Sequence, residues 1–263
     1  MIGIVLAGGF GTRLNPLTKV INKHLLPVYD KPMIYYSLSV LLLAKIKHII
    51  IISNESDIQS FKTLLNNGKY LNIKIEYVIQ PKPIGIPDAF SLTKNIVKKR
   101  RVCLILGDNF FYGQDFTLKL LQAKNSNMNT IFTHIVSNPS QFGILEYSND
   151  GSPKKIIEKP TKTSSFDAVT GLYFYTNEVF NLVKNLNFSK RGELEITDIN
   201  NYFLKKKKLN IIHLGRGYNW LDLGTFENLH IASQFVSLTQ RLQGLKIASL
   251  KEIAFNNKWI NKK

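Results

Sequence analysis

The chain has a single cysteine, Cys103, so no disulfide can close within it. Nothing in that usage points to an oxidising compartment. Set in Val102-Cys103-Leu104-Ile105-Leu106, the thiol is expected to pack as a small apolar group. Long apolar runs are missing too. Leu41–Ala44 and Ile49–Ile52 fall far short of the roughly 20 residues that a membrane-spanning helix needs. The amino terminus enters Ile2-Gly3-Ile4-Val5-Leu6 without a basic leader, and a cytoplasmic location is expected. Acidic residues are scarce, 18 Asp and Glu against 35 Lys and Arg, for a formal charge of +17. That excess suits polyanionic substrates or nucleic acid. Yet arginine is confined to Arg13, Arg100, Arg101, Arg191, Arg216 and Arg241, and specific nucleic-acid surfaces lean on its bidentate fork. Nucleic-acid binding is therefore not expected, and the Lys205–Lys208 run reads as a solvated helix end. The sequence also lacks G-x-S-x-G, H-E-x-x-H and any metal-ligand spacing among His24, His48, His134, His213 and His230.

What is present is a globular pattern. With 263 residues, 44% of them hydrophobic, the chain can bury a large core in one α/β domain. Short apolar runs at Ile2–Leu6, His48–Ser53, Ile73–Ile79, Val102–Leu106 and Thr130–Val136 read as strands covered on both faces. Helical patterns lie between them at Met33–Lys45, Asp57–Leu65, Asp88–Lys99 and Asp115–Lys124. Asp30 and Pro32 give cap signals for the first, and an Asp opens each of the others. This alternation predicts a mostly parallel central sheet flanked by helices. The second half differs. Gly143–Tyr147 and Lys154–Lys159 read as a hairpin turned at Asn149-Asp150-Gly151. Ala168–Tyr175 and Leu209–Leu214 read as strands, and Asn177–Asn185, Glu195–Lys207 and Phe226–Gln243 as helices.

The first strand runs into Leu6-Ala7-Gly8-Gly9-Phe10-Gly11-Thr12-Arg13-Leu14. Three glycines after a buried strand let backbone amides approach an anion. A dinucleotide fingerprint would need a third glycine where Leu14 stands, and a P-loop would need Lys where Thr12 follows Gly11. The segment is instead a glycine-rich loop with its own Arg13, which can chelate phosphate bidentately, and Lys23 further on as a point charge. An ordinary tight turn is the alternative. Asp108 follows a buried strand at the end where open α/β sheets bind ligands, and Asp222 lies between strand and helix. Two carboxylates converging on phosphates could hold Mg²⁺. Each could also cap a turn or helix, Asp222 at Thr225. Gln80 carries an amide able to read a pyrimidine edge, or is a plain loop residue. Glu158 and Lys159, taken alone, are a surface pair.

The loop motif, Lys23 and Leu25-Leu26-Pro27 resemble the signature of the sugar nucleotidylyltransferases. Tyr29–Tyr36, Gly107–Gly113, Val169–Tyr175, Arg191–Asp198 and Arg216–Thr225 narrow the resemblance to the glucose-1-phosphate thymidylyltransferases, from Met1 to about Trp259. The resemblance implies a Rossmann-like nucleotidyltransferase fold with a smaller sugar-binding β-hairpin region. It implies one domain over 1–263, with a nucleotide-binding half to about 136 and a sugar-binding and C-terminal helical part from about 137. The implied reaction is Mg²⁺-dependent transfer of dTMP from dTTP to α-D-glucose 1-phosphate, giving dTDP-glucose and pyrophosphate toward dTDP-rhamnose. Asp108 and Asp222 are the implied metal ligands, and Arg13, Lys23 and Lys159 the catalytic cations. Leu6, Gly8, Gly9, Gly11, Thr12, Gln80 and Gly85 are implied at the nucleotide. Gly143, Glu158, Lys159, Val169, Tyr173 and Arg191 are implied at the sugar phosphate. A homotetramer is implied as well. Alternatives are a relaxed enzyme using UTP or another sugar phosphate, and a decayed nucleotide-sugar-binding protein, which the retained charges oppose.

The chain departs from that pattern at several positions. His24 stands where Gln is expected, so activity is expected to become pH-sensitive. Ile84 and Asp88 replace polar residues around Gly85, Pro87 removes a backbone donor, Phe142 lacks a Tyr hydroxyl, and Leu223 replaces a small polar residue. Each is expected to soften substrate selection.

Overall fold

The computed structural model describes residues 1–261. β1 (Ile2–Leu6) leads to a small ribbon of β2 (Pro27–Val28) and β3 (Lys31–Pro32), then α1 (Ile34–Leu43) and β4 (His48–Ser53). α2 (Ile58–Leu65), β5 (Lys74–Ile79), α3 (Asp88–Val97) and β6 (Val102–Leu106) complete the βαβ series. Next come β7 (Asn109–Tyr112), α4 (Phe116–Asn125), β8 (Asn129–Ile135) and the hairpin β9 (Gly143–Tyr147) with β10 (Pro153–Glu158). The chain continues through β11 (Asp167–Tyr175), α5 (Val179–Leu182), α6 (Ile196–Lys205), β12 (Leu209–Leu214), β13 (Asn219–Asp222), α7 (Phe226–Gln243) and α8 (Leu250–Asn256).

Nine strands form one sheet, ordered β10-β9-β11-β6-β1-β4-β5, with β8 joining β11 and β12 joining β8. β6, β1, β4 and β5 run parallel, while β11 and β10 run against the rest. Alternation within β1 and β4 explains why these strands are apolar throughout. Val5, Ile49 and Ile51 face a core with α1, α2, α4 and α8, whereas Ile4, Ile50 and Ile52 face a core with α3, α5 and α6. Side chains alternate across a strand, so covering both faces demands apolar residues at every position. Cys103 is fully buried in the first of these cores.

Asp57, Asp88 and Asp115 stand at the starts of α2, α3 and α4 as expected, whereas the cap signal before α1 does not act as one. Asp30 does not cap α1, which begins without a side-chain cap; it pairs with Lys246 at 2.9 Å and with Lys31. Asp57 and Asp88 stand at the starts of α2 and α3, yet their carboxylates accept from Asn22 Nδ2 at 2.6 Å and Gln80 Nε2 at 2.8 Å. Asp115 makes no cap bond either. Periodicity did not mark β7, β13 or α8. The first two form a separate antiparallel ribbon, and α8 buries Leu250 and Ala254 in the core that α1 shares.

Candidate active site

The glycine-rich loop leaves β1 through Ala7, whose carbonyl accepts from Ser53 Oγ at 3.1 Å and Asn22 Nδ2 at 3.3 Å. Gly11 has φ +63°, and a Cβ there would meet Lys23 and Thr18 at 3.0 Å, so the tight turn needs glycine. Thr12, Arg13 and Leu14 form a 3-10 turn pinned by buried Leu14, which leaves Arg13 outward. A later 3-10 turn, Lys23–Leu25, is capped by Asn22, whose Oδ1 accepts from His24 N at 2.9 Å. It directs Lys23 Nζ to Asp108 Oδ2 at 2.5 Å, beside Gly9.

The β7–β13 ribbon brings the two predicted carboxylates together. Its register sets Asp222 opposite Asn109, next in the chain to Asp108, and Leu223 N donates to Asp108 O at 2.9 Å. Arg13 lies 3.5 Å from Asp222 and passes over Gly224, where a Cβ would clash with its guanidinium at 2.4 Å. Neither carboxylate acts as a helix cap: Thr225 caps α7 itself, and Asp222 Oδ1 accepts from Gly224 N. Burial works against the ionised form of Asp108, but the Lys23 ammonium outweighs it and holds that carboxyl well below the usual range. Asp222 is pushed up, by burial first and then by the negative charge of Asp108. Two neighbouring carboxylates that repel one another fit a hard divalent cation. Magnesium takes one or two protein carboxylates and completes its shell with water and phosphate.

Asn109, which sequence reasoning passed over, is the buried hub. Its Nδ2 donates to Asp108 Oδ1 at 3.2 Å, and its Oδ1 accepts from Gly171 N at 2.9 Å and Trp220 Nε1 at 2.7 Å. β11 pairs with β9 at Ala168 and with β6 from Leu172 onward. The Gly171 amide falls in the gap between those pairings and so is free for Asn109. A cleft of about 240 Å³ opens there.

Into this cleft come Arg13, Asp108, Asp222, Gly143, Glu158, Lys159, Val169, Tyr173 and Arg191, all anticipated, together with Glu193, Glu195 and Thr197, which were not. Glu158 accepts from Thr197 Oγ1 at 2.5 Å and meets Arg191 at 3.3 Å; Arg191 also reaches Glu193 at 3.1 Å and Glu195 at 3.3 Å. Burial and the Glu158 charge push the Tyr173 phenol up, so it stays protonated. Lys159 has φ +43°, a left-handed conformation unusual for a side-chain-bearing residue, and its amide extends the hairpin ladder to Phe142 O.

The remaining predicted residues, Lys23 included, do not line that cleft. Leu6 ends β1, Thr12 is exposed on the first turn, and Gly8 packs under Gln80 Oε1. Gly85 bridges to Leu194, where a Cβ would lie 2.2 Å from a carbonyl, so the segment after Gln80 is joined to the Arg191 segment. Three of the departures have definite places, and Phe142 lines the cleft. His24 is buried against Gly107, with Nδ1 on Asn22 Oδ1 at 2.8 Å. Burial, then the neighbouring Lys23 charge, lowers its pKa to about 3, so it stays neutral through the physiological range and supplies no pH switch there. Leu223 is fully buried with Phe110, Val28 and Val236, away from the cleft, and Phe142 packs on Trp220 at 5.0 Å between ring centres.

The sequence profile described as nucleotidyl transferase matches residues 2–238. A glucose-1-phosphate thymidylyltransferase of Neisseria meningitidis serogroup A is 49% identical over 99% of this chain and 91% of its own length. One from Mycobacterium tuberculosis is 43% identical over 99% and 91%. Among solved structures, one described as a glucose-1-phosphate thymidylyltransferase of Bacillus anthracis in complex with sucrose superposes with a TM-score of 0.81 at 37% identity, covering 89% of this chain and 95% of that one. With near-complete coverage at such identity, the chain belongs to the nucleotidyl transferase family, among the glucose-1-phosphate thymidylyltransferases.

Proposed function

We propose that the protein transfers dTMP from dTTP to α-D-glucose 1-phosphate, with Mg²⁺, releasing pyrophosphate and forming dTDP-glucose in the cytoplasm for deoxysugars such as dTDP-rhamnose. The observation that carries this reading is the single cleft in which Arg13, Asp108 and Asp222 face Glu158, Lys159 and Arg191. One side offers cations and a carboxylate pair to a triphosphate, and the other offers a carboxylate and cations to a sugar phosphate. The relatives carrying this activity in their names support the substrates.

The sugar phosphate arrives already ionised, so its oxygen attacks the α-phosphorus without a protein base. The new O–P bond forms as the α–β bridge bond breaks, and the electron pair leaves with pyrophosphate. Asp108 and Asp222 would hold the metal, which supplies positive charge to the phosphate oxygens when bound. Arg13 and Lys23 counter charge on the nucleotide phosphates, and Lys159 holds the incoming phosphate in line. Glu158, fixed by Thr197 and Arg191, is placed to accept from sugar hydroxyls. A homotetramer completes the reading, by family resemblance.

Pyrophosphate release from the purified protein with Mg²⁺, dTTP and glucose 1-phosphate tests the proposal, beside Asp108→Asn. Release should need both substrates and fall by two orders of magnitude or more in the variant. A folded protein that is inactive with dTTP, or that strongly prefers UTP, overturns it.

A further inference from the structure

We infer that Asp88 is a specificity-positioning residue: it locks the amide of Gln80 in the one orientation that reads an imide base and rejects cytosine. The inference rests on the reading above that a pyrimidine nucleotide binds beside the glycine-rich loop. Gln80 follows the carboxyl end of β5, next to the parallel strand β4 that pairs with β1. Its side chain is buried, with Oε1 directly over Gly8, where a Cβ would meet it at 2.4 Å. A carboxyl-end position in an open α/β sheet, against the phosphate-cradling loop, is where a base would lie.

The orientation follows from chemistry alone. A carboxylate offers only acceptors, so the atom 2.8 Å from Asp88 Oδ2 must be the Nε2 donor. Turning the amide over would set its carbonyl oxygen against the carboxylate, leaving two buried acceptors facing each other, which is costly. Among the described residues, no donor reaches Gln80 Oε1. The group therefore presents an acceptor, with the second Nε2 hydrogen beside it. Thymine and uracil match this face with N3–H as donor and a carbonyl as acceptor. Cytosine reverses both roles, with N3 as acceptor and an amino group as donor, and would require the turned amide.

Asp88 thus tightens base selection, opposite to the softening expected for a departure at this position. Asp88→Asn keeps size and shape but can donate or accept, so either orientation of Gln80 is satisfied. In this variant the ratio of kcat/KM for dTTP to that for dCTP, with glucose 1-phosphate and Mg²⁺, should fall by about tenfold or more. Most of the change should come from better use of dCTP, with kcat for dTTP within about threefold. Asp88→Ala should lower the same ratio mainly by weakening dTTP. An unchanged ratio in Asp88→Asn overturns the inference whether or not the melting temperature moves, because a purely structural role would change both nucleotides equally. Should the natural enzyme turn over no nucleotide, the functional reading fails by itself. Thermal shifts by dTTP against dCTP then decide: a preference lost in Asp88→Asn supports the lock, and one retained refutes it.

Discussion

The two sides of the site, the one proposed for the nucleotide phosphates and the one proposed for the sugar phosphate, use the same charges in different surroundings. On the phosphate side, Lys23 and Asp108 meet with only 13% and 12% of their side chains exposed. On the sugar side, Arg191 is 36% exposed and divides itself among Glu158, Glu193 and Glu195 at 3.1–3.3 Å. Water screens the second set and barely reaches the Lys23–Asp108 pair, although Arg13, 55% exposed beside Asp222, stays open to it. A buried charge is kept only if its partner and its hydrogen bonds are fixed, and Asn22, Asn109 and Asp57 provide that fixing. The sugar side has three acidic partners around one arginine, so losing one still leaves Arg191 paired. On the proposed reading, rigidity falls where charge is neutralised during the reaction, and tolerance where a neutral ring is gripped.

The largest effect should come from breaking the buried pair. Lys23→Ala removes the cation nearest Asp108 and leaves that carboxylate uncompensated in a buried setting. We expect kcat to fall by 10²–10³, corresponding to about 3–4 kcal/mol of lost stabilisation. Steady-state pyrophosphate release measures it. A loss under tenfold would mean that burial does not strengthen this side.

His24 sharpens the same point through stability. Its folded pKa is lowered to about 3, first by burial and then by Lys23, against an ordinary value of 6.5. Between those values the unfolded chain binds a proton that the folded protein refuses, so stability falls as pH drops below about 6.5. At pH 5 the loss attributable to this residue is ~2 kcal/mol. His24→Gln should therefore lose less stability than the natural chain when urea midpoints at pH 7.5 and pH 5, taken without divalent ions, are compared. Parallel losses in both proteins would show that His24 protonates freely.

Much of the phosphate side was legible because its chemistry is local. Gly8, Gly9, Gly11 and Arg13 follow one strand, Asp108 ends another, and each announces itself within a few residues. What holds these groups in place was not legible. Asn109 meets Trp220 111 positions away, Gly85 admits Leu194, and Gly224 yields room to Arg13; such contacts leave no periodicity. Asp57 and Asp88 open their helices as expected, but what their oxygens bind was hidden for a related reason. Their type and place suit a cap, but tertiary neighbours Asn22 and Gln80 compete for the same oxygens and win. The strands were readable because burial on both faces writes itself into every position. The β7–β13 ribbon was hidden because its ends serve the site: Asn109 and Asp222 are polar where a core strand would be apolar.

The smallest effect should come from Arg191→Ala on the sugar side. Each ion pair that Arg191 makes is partly open to water, and exposed pairs contribute about 1 kcal/mol or less. Removing it leaves Glu158 still bonded to Thr197, so the sugar-facing carboxylate keeps its position. KM for glucose 1-phosphate should rise by about fivefold, with kcat and the KM for dTTP within about twofold. A collapse of kcat instead would place Arg191 on charge that develops during the reaction, and would erase the distinction between a rigid phosphate side and a tolerant sugar side.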